Sequence, residues 1–160
     1  MFQAVSVAVI ILLTVIDQLT KYAVVTTLKG NEPQEFLFGL FQFRYVENTG
    51  AAFSSFSNST TLLTVATVVI LIGCLILLLT KKIKSKFMNV CLVLVTAGGI
   101  GNVIDRIANG FVVDFIEPLF VDFAVFNFAD CCITVGAILM IVYQIYDIIR
   151  DSKNKSKKND

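Results

Sequence analysis

Thr60 to Thr80 reads Thr-Thr-Leu-Leu-Thr-Val-Ala-Thr-Val-Val-Ile-Leu-Ile-Gly-Cys-Leu-Ile-Leu-Leu-Leu-Thr, twenty-one residues with no charge and no proline. A helix rising about 1.5 Å per residue crosses a hydrocarbon core with about 20 residues, so this run predicts a membrane span. Outward from it lie three more stretches of the same kind, roughly Gln3 to Leu28, Phe87 to Ile107 and Phe126 to Ile149. The whole chain of 160 residues is 56% hydrophobic, with a mean hydropathy of +0.81, too apolar for an ordinary soluble domain. The reading is an all-α membrane protein with four transmembrane helices in one domain over residues 1–150, followed by a basic tail at 151–160.

The first span is not read as a cleaved secretory signal. No Lys or Arg precedes it, and it runs into Asp17-Gln18-Leu19-Thr20-Lys21 rather than a small-x-small site. All four cysteines, Cys74, Cys91, Cys131 and Cys132, fall inside spans without C-x-x-C spacing and read as apolar filler. The absence of histidine excludes Ser-His-Asp and Cys-His mechanisms and His-ligated zinc. Hydrolytic chemistry must then rest on carboxylates, amides, Lys or Arg.

Lys81, Lys82, Lys84 and Lys86 join spans two and three, and Arg150, Lys153, Lys155, Lys157 and Lys158 follow span four. The positive-inside rule makes both segments cytoplasmic, with both termini inside and the loops at about 29–59 and 108–125 outside. These basic runs are topology signals that can touch anionic lipid; with a net charge of +1, nucleic acid is not an expected partner. Most acids lie toward the outer side: Asp17, Glu32, Glu35, Glu47, Asp105, Asp114, Glu117, Asp122 and Asp130. Helical rise puts Asp17 about 20 Å along span one and Asp130 about one turn below the outer start of span four. Carboxylates inside a span cost about 2.5–3.5 kcal/mol each, so their convergence at one level marks a site.

Within the first outer loop, Phe41, Phe43 and Tyr45 alternate with Gln42, Arg44 and Val46, which is strand periodicity. A short sheet with an aromatic face could cover a cleft, hold an extended peptide or serve as an interfacial anchor. In the second outer loop lie Val112-Val113-Asp114-Phe115 and its echo Val121-Asp122-Phe123.

Asp17 and Lys21 stand i, i+4 in the favourable order and read as an ion pair, with Lys21 snorkelling outward. The stretch Gly98-Gly99-Ile100-Gly101-Asn102-Val103-Ile104-Asp105-Arg106 lacks the strand before it and the G-K-[ST] after it that a phosphate loop needs. Its glycines instead allow close helix approach. Gly98, Asn102, Asp105 and Arg106 share one side, where Arg106 either neutralises Asp105 or holds a peptide carbonyl or an anionic lipid group. Two carboxylates a few ångströms apart share a proton, so one is poised as base toward water and the other as acid toward a carbonyl, with no metal required. Asn48 and Asn127 could hydrogen-bond the acids or a substrate backbone. Spacing alone does not say whether Asp130 pairs with Asp114, Asp105 or Asp122.

Five blocks in order resemble the lipoprotein signal peptidase family, also called signal peptidase II. They are Asp17-Gln18-x-Thr20-Lys21, Asn48-x-Gly50-x-Ala52-Phe53, Gly98-Gly99-x-Gly101-Asn102-x-x-Asp105-Arg106, Val112-Val113-Asp114-Phe115 and Phe126-Asn127-x-Ala129-Asp130. The resemblance implies a four-helix enzyme of the bacterial cytoplasmic membrane that removes signal peptides from diacylglyceryl-modified prolipoproteins, just before the lipidated cysteine. It implies Asp114 and Asp130 as the catalytic pair. Asp17, Lys21, Asn48, Gly98, Asn102, Asp105, Arg106 and Asn127 then support the site or the substrate. No metal or other cofactor is expected, membrane lipids are partners, globomycin-type peptide antibiotics are inhibitors, and the chain is expected to be a monomer. One departure is Cys131, where family members often carry serine; Asp122 is read as loop surface. A Mg²⁺-dependent phosphotransferase and a proton or ion carrier are the rival readings; the first lacks a clustered D-x-x-D, the second lacks visible repeats.

Overall fold

The computed structural model describes residues 2–50, 60–80 and 82–159; Ala52 and Phe53 of the second motif block, and Lys81, lie outside the described residues. The helices α1 (Phe2–Leu28), α2 (Thr60–Thr80), α3 (Lys86–Asn109) and α4 (Phe128–Asn159) alternate with a small antiparallel sheet of β1 (Gln34–Phe36), β2 (Phe41–Asn48) and β3 (Val112–Pro118). Each of the four helices is long and apolar enough to cross a bilayer. Lys82, Lys84, Lys86, Arg150 and Lys153 lie at the end of the bundle opposite the sheet.

The bundle is built around α3, whose buried residues run from Asn89 to Asp105. Ser85 caps its start by accepting the Met88 N–H, and Gly110 closes it in the left-handed region at φ 82°, donating its N–H to the Arg106 carbonyl. Three glycines let neighbours approach on three sides. A methyl group on Gly98 would strike the Ala129 carbonyl of α4, on Gly99 it would lie 2.7 Å from Leu71 Cδ2 of α2, and on Gly101 it would strike the Asp17 carboxylate of α1. Below this level Ile10, Leu78, Leu92, Val93 and Ala97 form the apolar core. Leu12, Ile70 and Ile138 are each more than half exposed on the outside of the bundle, as side chains that face lipid are.

Two expectations about chain direction change. β3 arises where the sequence reads as loop, because Val112–Pro118 is a strand by virtue of its partners: β2 on one edge and Phe126, bridged to Ile116, on the other. α4 starts at Phe128 rather than 126 and continues through the basic segment to Asn159, so residues 151–159 extend the helix rather than trail from it. Asp130 therefore sits in the first turn of α4, not one turn deeper.

A β-bulge between Phe43 and Val46 breaks the alternation read from the sequence. Before it, Phe41 and Phe43 stand opposite Pro118 and Ile116; after it, Val46 and Asn48 stand opposite Asp114 and Val112. Continued without the extra residue, the first register would set Tyr45 opposite Asp114 and Glu47 opposite Val112. A carboxylate would then be the diagonal neighbour of Asp114. The bulge puts an amide there.

Candidate active site

The sequence Asn127-Phe128-Ala129-Asp130 opens α4 as a capping box. Asn127 Oδ1 accepts the Asp130 N–H at 2.9 Å, and Asp130 Oδ2 accepts the Asn127 N–H at 3.2 Å. With its oxygen committed to the helix, the Asn127 amide turns its Nδ2 the other way. That group donates to Asp114 Oδ1 at 2.6 Å and to Asn102 Oδ1 at 3.1 Å. A local helix-start motif thus ties together two acids from different elements.

Asn48 approaches Asp114 from the sheet. The Gly50 N–H donates to Asn48 Oδ1 at 2.9 Å, an Asx-type turn that directs Asn48 Nδ2 onto Asp114 Oδ2 at 2.8 Å. From α3, Asn102 is oriented by charge: its Oδ1 receives Lys21 Nζ at 3.0 Å, an ammonium that can only donate, so its Nδ2 faces Asp130 Oδ1 at 2.7 Å. Each of the four carboxylate oxygens of Asp114 and Asp130 accepts one N–H.

Beneath the pair lies an ionic cluster. Lys21 Nζ is 2.9 Å from both Asp17 Oδ2 and Asp105 Oδ2. Lys21 is only 3% exposed, so the i, i+4 pair forms but the side chain turns inward instead of snorkelling. Asp17 Oδ1 accepts the Ala129 N–H at 3.0 Å, an orphan donor at the start of α4. Asp105 Oδ2 accepts the Val113 N–H at 3.0 Å, fixing the strand one residue before Asp114. Gln18, which the sequence reading did not assign to the site, donates to Asp105 Oδ1 at 3.0 Å and to the Gly101 carbonyl at 3.2 Å. A polar amide beside Asp17 inside a span was the signal that could have flagged it.

Arg106 does not neutralise Asp105, whose cation is Lys21. Its Nη2 donates to the Gly50 carbonyl at 3.2 Å, and its buried Nε has no partner among the described residues. Asp122 is exposed on the loop. Gly98 contributes no polar group; it admits the Ala129 carbonyl and so seats the first turn of α4 against α3.

Asp114, Asp130, Asn48, Asn102 and Arg106 line a cavity of about 430 Å³ together with Phe123, Val125, Phe126, Ile133 and Val135. Cys131 also reaches its wall. Burial, reinforced by the negative charge of Asp130, pushes the Asp114 carboxyl up to about 7, against the Asn48 and Asn127 hydrogen bonds and the charge of Lys21. The arrangement presents two neighbouring carboxyl groups, one of them with a raised pKa, in a largely apolar cavity. Among the described residues no three Asp, Glu or Cys side chains group as metal ligands.

The family described as Signal peptidase (SPase) II matches residues 9–146. A lipoprotein signal peptidase of Streptococcus thermophilus is 38% identical over 139 residues, which covers 87% of this chain and 90% of that relative. Another, from Streptococcus pneumoniae, is 38% identical over 144 residues, 89% of this chain and 94% of the relative. Among solved structures, one described as a bacterial membrane enzyme determined by the in meso method superposes with a TM-score of 0.84 at 34% identity, covering 91% of this chain and 90% of the other. A second of the same description gives a TM-score of 0.80 at 34% identity, covering 90% and 94%.

Proposed function

This chain belongs to the signal peptidase II family, and on that premise we propose that Asp114 and Asp130 are the catalytic pair of a metal-independent aspartic peptidase. Its substrates are diacylglyceryl-modified prolipoproteins, cut just before the lipidated cysteine. The observation that carries the pairing is Asn127, which bonds both acids at once.

Asp114 holds the shared proton, since its carboxyl is pushed up to about 7. Asp130, at the N-terminal turn of α4 and accepting two N–H groups, acts as the base. A water between them loses a proton to Asp130 and attacks the scissile carbonyl carbon while Asp114 protonates the carbonyl oxygen. Collapse of the tetrahedral intermediate returns the Asp114 proton, and the proton on Asp130 goes to the leaving amine. Metal independence is supported by the N–H donor already on every oxygen of the pair. The substrate's acyl chains lie toward Phe123, Phe126 and Ile133, its peptide crosses toward the sheet, and globomycin-type antibiotics occupy the same cavity. The basic segments are cytoplasmic, with both termini inside and the acid pair toward the outer face. The enzyme works as a monomer in contact with membrane lipid.

The test is cleavage of lipidated and unlipidated precursor by purified protein in detergent, with and without chelator. The lipidated precursor alone is expected to be cut, chelator to have no effect, and Asp114→Asn and Asp130→Asn each to lose activity by several orders of magnitude. Near-normal cleavage by either variant overturns the pairing, and loss on chelation overturns the metal-free reading.

A further inference from the structure

The end of the sheet farthest from the acid pair is apolar and exposed. On the β1-β2 turn, Leu37 is 55%, Phe38 104% and Leu40 49% exposed; on the segment after β3, Leu119 is 42%, Phe120 64% and Val121 49% exposed. The two stretches form one surface, because the Leu119 N–H donates to the Leu40 carbonyl at 2.9 Å and Phe120 meets Phe41 edge-on at 5.5 Å. Leu37 and Phe38 hold φ at 50° and 59°, followed by Gly39 at 77°. Turns of this kind select Gly, Asn or Asp at left-handed positions, yet here two large apolar side chains occupy them. Something other than turn chemistry favours Leu and Phe there.

We propose that this tip inserts into the bilayer surface on the sheet side of the bundle, so that the sheet lies along the membrane rather than standing out from it. From Asp114 of the acid pair to Pro118 at the tip is a rise of four residues of strand, about 13 Å at about 3.3 Å each. An upright sheet would carry six exposed apolar residues that far into water, whereas a reclining one makes them continuous with the lipid-facing surface of the spans. The contact is apolar rather than headgroup-directed. The basic residue nearest this end, Arg44, is already engaged with Glu117 at 2.7 Å, Lys29 is held by Glu47 at the opposite end of the sheet, and the charge nearest the turn is Glu35, whose carboxylate lies against Gly39. The inference stands on the sheet alone and does not depend on the peptidase reading.

The chain contains no tryptophan, so with a tryptophan-free scaffold protein a single introduced indole reports without background. Phe38→Trp and, separately, Leu40→Trp are placed in nanodiscs holding one copy each, with Ile141→Trp as the lipid-facing control and Asn154→Trp as the aqueous control. At positions 38 and 40 the emission should be blue-shifted toward that at 141, quenched by bromine-labelled lipid and protected from iodide, equally in zwitterionic and anionic bilayers. Iodide quenching with the red emission of position 154 places the tip in water and overturns the proposal. Protection from both quenchers means that protein covers the tip and also overturns it, as does lipid quenching seen only with anionic lipid.

Discussion

Replacing Asp114 with Asn keeps the side chain's shape while removing the group whose proton the fold holds, and the consequence for stability can be worked out in sign and size. The carboxyl rises from 3.8 to about 7 in the folded protein. Between those two values the folded state binds more protons than the unfolded one, so stability falls as pH rises from about 4 to about 7 and is level above that. The shift of about 3 units corresponds to about 4 kcal/mol of penalty at neutral pH, an upper figure for a group 1% exposed. Against this, both oxygens of Asp114 accept amide N–H groups, so the NH₂ of an Asn would face a donor and forfeit one bond, about 1–3 kcal/mol. Asp114→Asn should therefore stabilise the inactive protein by about 1–3 kcal/mol at pH 7.5, or about 2–10 °C in apparent Tm. At pH 4 the advantage should vanish or reverse, because both side chains are then neutral. Circular-dichroism melts in detergent at the two pH values read this directly. A variant less stable than the parent at pH 7.5, or a difference that does not shrink on acidification, refutes the electrostatic reasoning.

Asn127→Ser keeps a capping oxygen but has no second donor for Asp114, so activity should collapse while apparent Tm stays within a few degrees; Asn127→Ala should lose both, with about 1 kcal/mol more of instability. Gly98→Ala drives a methyl group into the Ala129 backbone and should cost about 1–3 kcal/mol together with activity, whereas Gly73→Ala, with no atom within 4 Å of the added carbon, should be neutral or stabilising. Thermal melts and single-turnover cleavage on the four variants check both statements, and a Gly98→Ala protein that melts like the parent would mean the α3-α4 contact is looser than it looks.

The helices were legible because a span announces itself locally: twenty apolar residues need no knowledge of their neighbours. β2 was legible for the same reason, through its alternating aromatics. β3 was not, since Val112–Pro118 becomes a strand only when β2 and Phe126 pair with it. The bulge at Phe43–Val46 was equally hidden, and it decides whether Asn48 or Glu47 faces Asp114. Charge distribution and helical rise brought Asp105, Asp114, Asp122 and Asp130 to the outer face without choosing among them, and the choice rested on the resemblance. The fold separates them by partner: Asp105 takes Lys21, Asp122 faces outward, and Asp114 shares Asn127 with Asp130. The inward turn of Lys21 was missed, and the role of Arg106 left open, for one reason. A span's sequence shows which polar residues share a helix face but not which neighbouring helix supplies the counter-charge.

That counter-charge arrangement gives the proton proposed on Asp114 a physical cause. Among the described residues, Asp17, Asp105, Asp114 and Asp130 gather around two cations, Lys21 and Arg106. Lys21 is committed to Asp17 and Asp105 at 2.9 Å each, and Arg106 makes no ion pair among the described residues, its Nη2 resting on the Gly50 carbonyl. Asp114 and Asp130 are thus hydrogen-bonded by amide donors alone, with Lys21 and Arg106 acting only through space, so a second carboxylate bears its own desolvation and its neighbour's repulsion with little direct relief. With the guanidinium held off in the cavity wall, protonating one acid of the pair is the cheapest way to relieve the excess negative charge, and a pair holding one proton is the state from which water can be activated.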